Sequence, residues 1–288
     1  MAHDPTGYSD ISSISRELVS AEIQAVLKEE AQLLPTVMDY TGQVAPGADS
    51  VRLPRLAELS AADKTQGNDS EAQVMTVSSD VLNLDKHKQI LVEIEDKARI
   101  QSAVNLEAEV IKEQAREMAL QIDKDIFFAL KSVTHSGTDH LLDYSSASDN
   151  VIALADIVKA RELLRKQKFQ FRDDNYFMLI SPEKEREMLS INNFIKSNEY
   201  GLPGNSPLIA GEIGRVFGFR VLVSTICADD DAVFYHKSHV GFAMQSAAKF
   251  ERDRNLRNLS DQLAVSSLYG VKALRDGIGG VYYNGTGS

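Results

Sequence analysis

Residues 99–133 read RIQSAVNLEAEVIKEQAREMALQIDKDIFFALKSV, with neither proline nor glycine. Apolar side chains recur at Ile100, Val104, Ile111, Ala115, Met118, Ile122, Ile126 and Val133, in steps of three, four and seven. That spacing keeps one stripe on one side of a helix, while Glu107, Lys112, Glu113, Arg116 and Lys124 cover the remainder. At about 1.5 Å per residue such a helix reaches roughly 45–50 Å, well past the usual three turns. The steps run wider than a heptad and no e/g charge code is sustained, which disfavours a zipper. A beam running through a thin domain is the better reading. Asp96, Ser102 and Asn105 are each candidate caps for its start, and Ser136-Gly137 marks its end. The beam reading buries Ile111, Met118 and Ile122 against strands at Ile90–Ile94 and Leu263–Ala273.

Upstream of the helix, residues 49–95 alternate as strands do. Val51 and Leu53 lie on the way out, Val74, Thr76 and Val77 on the way back, and Ile90, Val92 and Ile94 continue. The tip, Ser60 to Glu71, reads SAADKTQGNDSE, small and polar around Gly67. A two-stranded hairpin of this length is marginal alone and has too few apolar residues for its own core. It reads as a projection completed by another chain. Before it, Ser15 to Glu30 carries Leu18, Ala21, Ala25 and Val26 on one helical face, closed by Pro35. That segment either packs on its own domain or lies as an arm on a neighbouring subunit.

Downstream, the texture changes. Ala155–Phe169 predicts an amphipathic helix with Arg165, Lys166 and Lys168 at its C-terminus, where they complement the dipole. Asn175–Ile180 predicts a strand, and Pro182 opens a short helix to Leu189. Strands follow at Arg220–Ser224, Ala232–His236, Val240–Met244, Ala248–Arg252 and Leu263–Ala273. Helices and strands mix without βαβ repetition, so the class is α+β.

Composition narrows the function. The net charge of -11 argues against a protein that coats nucleic acid, which would carry a basic face. One cysteine, Cys227, excludes an internal disulfide framework and reads as a buried, inert thiol. Neither a secretory-signal pattern nor an apolar run of membrane-spanning length is present. Gly211 to Gly218 lacks both the dinucleotide and the Walker patterns. His135 and His140 sit in a linker without helical geometry for a metal, and Asp229-Asp230-Asp231 lacks the calcium-loop pattern and reads as a solvated turn. No catalytic residue, metal site or cofactor is assigned.

The order of parts resembles the major capsid proteins of tailed double-stranded DNA bacteriophages, the HK97-fold family. Residues Ala155 to Leu164 (ADIVKARELL) look like the first axial-domain helix, and Tyr176 to Glu183 (YFMLISPE) like the strand and SP turn after it. Gly214 to Val221 (GRVFGFRV) resembles the family's G-x-x-x-G-F-x-V turn, and Phe234 to Ser238 (FYHKS) its H-x-S strand end. Glu251-Arg252-Asp253 and Tyr269 to Lys272 match the last strands, so the likeness spans about residues 15–283.

The resemblance implies an HK97-like α+β fold divided into an N-terminal arm (1–35), an E-loop hairpin (36–80), a peripheral domain with the spine helix (81–148), an axial domain (149–248), and return strands to the peripheral domain with a C-terminal tail (249–288). It implies self-assembly into hexamers and pentamers of an icosahedral shell around double-stranded DNA, bound without sequence specificity. The product belongs in the virion, is assembled in the host cytoplasm, and touches no membrane. The arm begins within the first fifteen residues, so a separate scaffolding protein is expected, with a portal and a decoration protein as further partners. Some relatives lock their shells by a Lys–Asn isopeptide bond. Lys64 sits at the hairpin tip, but no matching Asn and catalytic Glu stand out, and that chemistry is not carried over. Two rivals stand beside this reading: an encapsulin-like nanocompartment, and a cytoplasmic α+β enzyme or binding protein whose hairpin covers a pocket.

The hairpin, counted over residues 49–80, holds three basic and six acidic side chains, net -3. Lys249, Arg252, Arg254 and Arg257 make a basic cluster elsewhere. Asp63, Lys64 and Glu71 on the hairpin, and Arg252, Arg254 and Arg257 opposite, are therefore the candidate subunit-interface residues. Solvated faces worth little each are the alternative.

Overall fold

The computed structural model describes residues 32–56, 59, 61, 63, 74–75, 77–102, 106–133, 140–144, 150–169, 171, 175–190 and 214–284. The expected arm helix at Ser15–Glu30, Lys64, Glu71 and most of the hairpin tip, and His135 lie outside these residues.

Three sheets organise the described chain. A four-stranded sheet has the order β1-β10-β11-β4, built from β1 (Met38–Asp39), β4 (Lys86–Glu95), β10 (Val240–Asn255) and β11 (Ser260–Ala273). A six-stranded sheet has the order β5-β12-β9-β6-β8-β7, with β5 (Leu141–Leu142), β6 (Tyr176–Ile180), β7 (Arg215–Val216), β8 (Phe219–Val223), β9 (Ala232–His236) and β12 (Gly280–Tyr283). The remaining pair, β2 (Ser50–Leu56) and β3 (Val77–Asn83), forms an antiparallel ribbon by itself.

The long element is two helices, not one over 99–133. Helix α1 covers Asp96–Gln101, Ser102 is extended at φ -78° and ψ 136°, and α2 covers Leu106–Leu130. The segments have different anchors. Arg99 of α1 pairs with Asp261 at 2.5 Å, which ties α1 to the end of the sheet. Helix α2 instead lies across β11, β10 and β4. Its 25 residues span about 37 Å at about 1.5 Å each.

The buried stripe of α2 agrees with the expected one at Met118, Ile122 and Ile126 and departs from it nearer the N-terminus. Met118, Ile122, Ile126 and Leu130 are buried, but Ala115 is exposed and Ile111 is only half-buried. Gln114 takes the inner position, one residue or about 100° away, and its Nε2 donates to Leu263 O at 2.9 Å and Ile90 O at 3.2 Å. Those bonds satisfy an amide that would otherwise be costly to bury. Apolar spacing alone could not show that a glutamine would be drawn inward.

Strands expected at 240–244 and 248–252 are one strand, β10, interrupted by register shifts between Met244 and Ser246 and between Ser246 and Lys249. A bulge breaks the alternation without ending the strand. A boundary at 248 therefore falls inside a strand. The last strand also departs from expectation: β12 does not return to the four-stranded sheet but inserts between β5 and β9 of the six-stranded one.

Both faces of the six-stranded sheet are covered. Helices α3 (Leu154–Lys166) and α4 (Pro182–Ser190) pack one face through Ile157, Ala160, Leu164 and Met188, against Tyr176, Met178, Ile180, Phe234 and Tyr283. The other face, with Phe177, Leu179, Val233, Tyr235 and Tyr282, joins the end of α2 in one core with Leu33, Val37 and Phe242. Strands buried on both faces read as continuous apolar runs, and YFMLI of β6 is buried at every position.

Two turns have a visible cause. Ser181 Oγ accepts the Lys184 N–H at 3.2 Å and donates to Asp229 O at 2.8 Å, so the Ser-Pro pair caps α4 while holding the β8–β9 turn. His236 Nδ1 accepts the Ser238 N–H at 3.2 Å and meets Ser238 Oγ at 2.7 Å, which explains the H-x-S step.

Candidate functional site

The features that could act on another molecule are surfaces. Among the described residues, no group of three or more His, Cys, Asp or Glu could hold a metal, and no helix is long and apolar enough to cross a membrane.

The first surface is the β2–β3 ribbon. Its root is held by a small cluster of Val51, Leu82, Leu84 and Ala243. Lys272 Nζ donates to Val81 O at 2.8 Å, and the Leu84 N–H to Asp49 O at 2.9 Å. Gly270 of β11 makes the crossing possible, since a Cβ there would stand 2.0 Å from Asn83 O. Beyond the root, apolar side chains lack cover: Val74 is 91% exposed, and Leu59, Met75 and Val77 are exposed with it. Asp63 is exposed near the tip.

The second surface is the end of the four-stranded sheet. Arg254 grips Asp96 bidentately, at 2.6 Å from Nη1 and 2.5 Å from Nη2. Its Nη1 also donates to Asp261 at 3.1 Å; Arg252 meets the same carboxylate at 2.7 Å and Arg99 at 2.5 Å. The Arg254 hydrogen bond holds the Asp96 carboxyl below its ordinary range. At Asp261 burial pushes upward, but the hydrogen bonds from Arg254 and Arg252 outweigh it and the net shift is down. Exposed Ile100 (78%) and Leu256 (77%) sit around this network, and Ile100 shares a groove with Leu259, Lys97 and Gln101.

Two of the three candidate arginines, Arg252 and Arg254, thus already have partners in their own chain. The guanidinium of Arg257 pairs with no side chain among the described residues, although its N–H reaches Asn255 Oδ1 at 3.1 Å. Asp63 points into solvent.

Beneath the β10–β11 turn, Glu93 is buried and gathers Asn255 Nδ2 at 2.9 Å, Asn258 Nδ2 at 3.4 Å and the Ser260 hydroxyl. Sequence reading missed this group, because its donors lie more than 160 residues away. Three further buried polar groups escaped it. Asp231, expected in a solvated turn, accepts Tyr282 Oη–H at 2.6 Å and pairs with Lys131 at the end of α2. Lys184 reaches Asn150 O, Glu187 at 3.2 Å and Asp230 at 3.5 Å. Asp123 of α2 accepts the N–H groups of Gln32 at 2.6 Å and Leu33 at 3.3 Å.

Two buried histidines flank Gly280. His140 Nδ1 bonds Gly280 O at 2.7 Å, and His239 Nε2 donates to Leu130 O at 3.1 Å. Burial pushes His239 down to about 4, with His140 adding to the fall. Cys227 is buried, and its thiol donates to Asp231 O at 3.4 Å.

With this geometry in view, comparison with known proteins is decisive. The phage capsid protein family matches residues 78–283, most of the chain, and the chain belongs to that family. It is a structural shell protein of the HK97-like fold. Solved structures agree on the fold. One from Mycobacterium phage Che8 is 24% identical, covers 91% of this chain and 95% of its own, and superposes with a TM-score of 0.75. The capsid of cyanophage P-SCSP1u is 15% identical, with coverage of 95% and 92% and a TM-score of 0.74. The capsid of a native GTA particle gives 15% identity, 89% and 90% coverage, and a TM-score of 0.66. No curated protein sequence matches.

Proposed function

We propose that the chain builds the icosahedral head of a tailed bacteriophage, assembling as hexamers and pentamers around packaged double-stranded DNA. The observation that carries the reading is the β2–β3 ribbon, whose apolar side chains beyond its root have no cover among the described residues. Residues 1–35 serve as an arm, 36–80 as the E-loop, the four-stranded sheet with α2 as the core of the peripheral domain, and the six-stranded sheet as the axial domain. The net charge of -11 supports a wall that encloses DNA without gripping it. The chain acts structurally and performs no catalysis, working with a scaffolding protein, a portal and a decoration protein in the host cytoplasm. The family match weighs against the encapsulin-like alternative.

In this reading the acidic hairpin, with Asp63, Lys64 and Glu71, lies near the arginine cluster of a neighbour. Arg257 is the one of the three that needs no rearrangement to pair across subunits, whereas Arg252 and Arg254 would have to share Asp261. Electron microscopy of the purified chain tests the assignment: shells, tubes or capsomers are expected, and a compact monomer or dimer at every concentration would sink it. Nuclease-protected DNA inside particles from infected cells separates a genome container from a cargo shell.

A further inference from the structure

Among the described residues, the six-stranded sheet is electrically lopsided along its strands. At one end, where β6 and β8 finish and β9 begins, Asp143, Glu183, Asp229 and Asp230 come to the surface. The cations nearby are already engaged: Lys184 with Glu187 and Asp230, Lys131 with Asp231, and Arg186 with Glu183. At the other end, the β7–β8 turn and the C-terminus of α3 bring together Arg161, Arg165, Lys166, Arg215 and Arg220. Glu162 is the acid on that stretch of α3, and it is held by Lys166 at 2.6 Å and Lys159 at 3.4 Å.

The basic end has an apolar centre. Phe217 is 39% exposed at the tip of the β7–β8 turn, with φ +46°, followed by Gly218 at φ +91°. Positive φ at both central residues is the geometry of a two-residue hairpin turn, but it disfavours a bulky side chain. Here it holds an aromatic ring outward between Arg215 and Arg220, which are register partners. A Cβ on Gly218 would lie 3.2 Å from Phe171, and that ring lies under Arg161 at 4.9 Å and Arg165 at 5.9 Å. The turn and the α3 cations therefore form one continuous surface. An aromatic centre with an arginine rim is how protein interfaces concentrate their binding energy.

Five residues of β6 separate the two ends by about 17 Å, so they cannot meet within one chain. We propose that the basic end of this sheet docks the acidic end of the same sheet in a second copy. Arg165 and Arg220 face Asp143 and Asp229, and Phe217 seats near the exposed Val151 beside the acidic end. The proposal rests on the shell reading and adds which surfaces meet. Because the two surfaces differ, the contact is heterologous and passes from copy to copy, which is the kind of contact that builds a ring when its rotation closes.

Charge swapping tests it on the full chain. One variant carries Arg165→Glu and Arg220→Glu, another Asp143→Lys and Asp229→Lys, and a third carries all four changes. Circular dichroism and melting confirm that each folds, since all four side chains are exposed. Sedimentation and electron microscopy should show each two-site variant losing at least about tenfold in assembled fraction, because like charges then face each other. Mixing the two, or making all four changes in one chain, should restore association. Normal assembly by either two-site variant, or no recovery in the four-site one, overturns the proposal and leaves the shell reading intact. A wild-type chain that never associates overturns both.

Discussion

The six-stranded sheet and the β2–β3 ribbon differ in residue type and meet opposite fates: β6 reads YFMLI and is apolar throughout, whereas β2 reads SVRLPRL. In the sheet, helices cover one face and α2 the other, and Phe219, Phe234, Tyr176 and Tyr283 interlock edge to face. In the ribbon, only the root touches a core. The first region is packed on both faces within the chain; the second keeps apolar surface exposed. Stability of the monomer and competence to assemble are thus written in different places.

The sharpest way to break that contrast is to open the sheet. Phe234 is fully buried, and Phe234→Ala should cost about 3–5 kcal/mol by leaving a cavity, read as a lower denaturant midpoint. A denaturant midpoint left at the wild-type value would show that the sheet is not the stability core. Next comes acid. His239 is neutral while buried, with its folded value of about 4 below the ordinary 6.5. Its contribution is complete above about pH 6.5 and is lost as pH falls through about 4, up to roughly 3 kcal/mol. His239→Gln keeps a donor for Leu130 O and should flatten the melting temperature between pH 6.5 and 4; an unchanged slope contradicts the assignment.

At the ribbon root, Gly270→Ala forces a Cβ into Asn83 O. It should lower stability by about 1–3 kcal/mol, as overpacking does, while reducing assembly far more. The ion network should respond at lower pH still. Asp96 and Asp261 both have lowered values, so their contribution is present above the ordinary carboxylate value of 3.8 and disappears as pH falls below it. Asp261→Asn should remove part of the acid limb of a melting profile taken below pH 4. Smallest in the monomer is Val74→Ser with Met75→Ser, expected to change stability by no more than about 0.5 kcal/mol. Particle yield should nevertheless drop, and normal yield would mean that the exposed ribbon residues stay exposed in the shell.

How much of this was legible in the sequence follows from how far each cause lies along the chain. Periodicity located α2, α3, β6 and β9 because a local repeat reports a local helix or strand. It offered Ser102 as one of three candidate caps but could not choose among them, since Val104 keeps the repeat running across it. Nor could it place Gln114 inward, because the carbonyls it serves belong to Ile90 and Leu263. The arginines at 252 and 254 were visible as a cluster. Their engagement was not, since Asp96 lies 158 residues from Arg254. The ribbon was readable as an element without a core of its own, because a shortage of apolar residues is itself a property of sequence.

One buried sulfur has a practical use. Cys227 is the single cysteine of the chain and is sealed behind the β8–β9 turn at 3% exposure. A cysteine introduced at a solvent-facing position can therefore be tagged with a dye or a spin label without first removing the native one. Every copy in a particle would carry its reporter at the same chosen address.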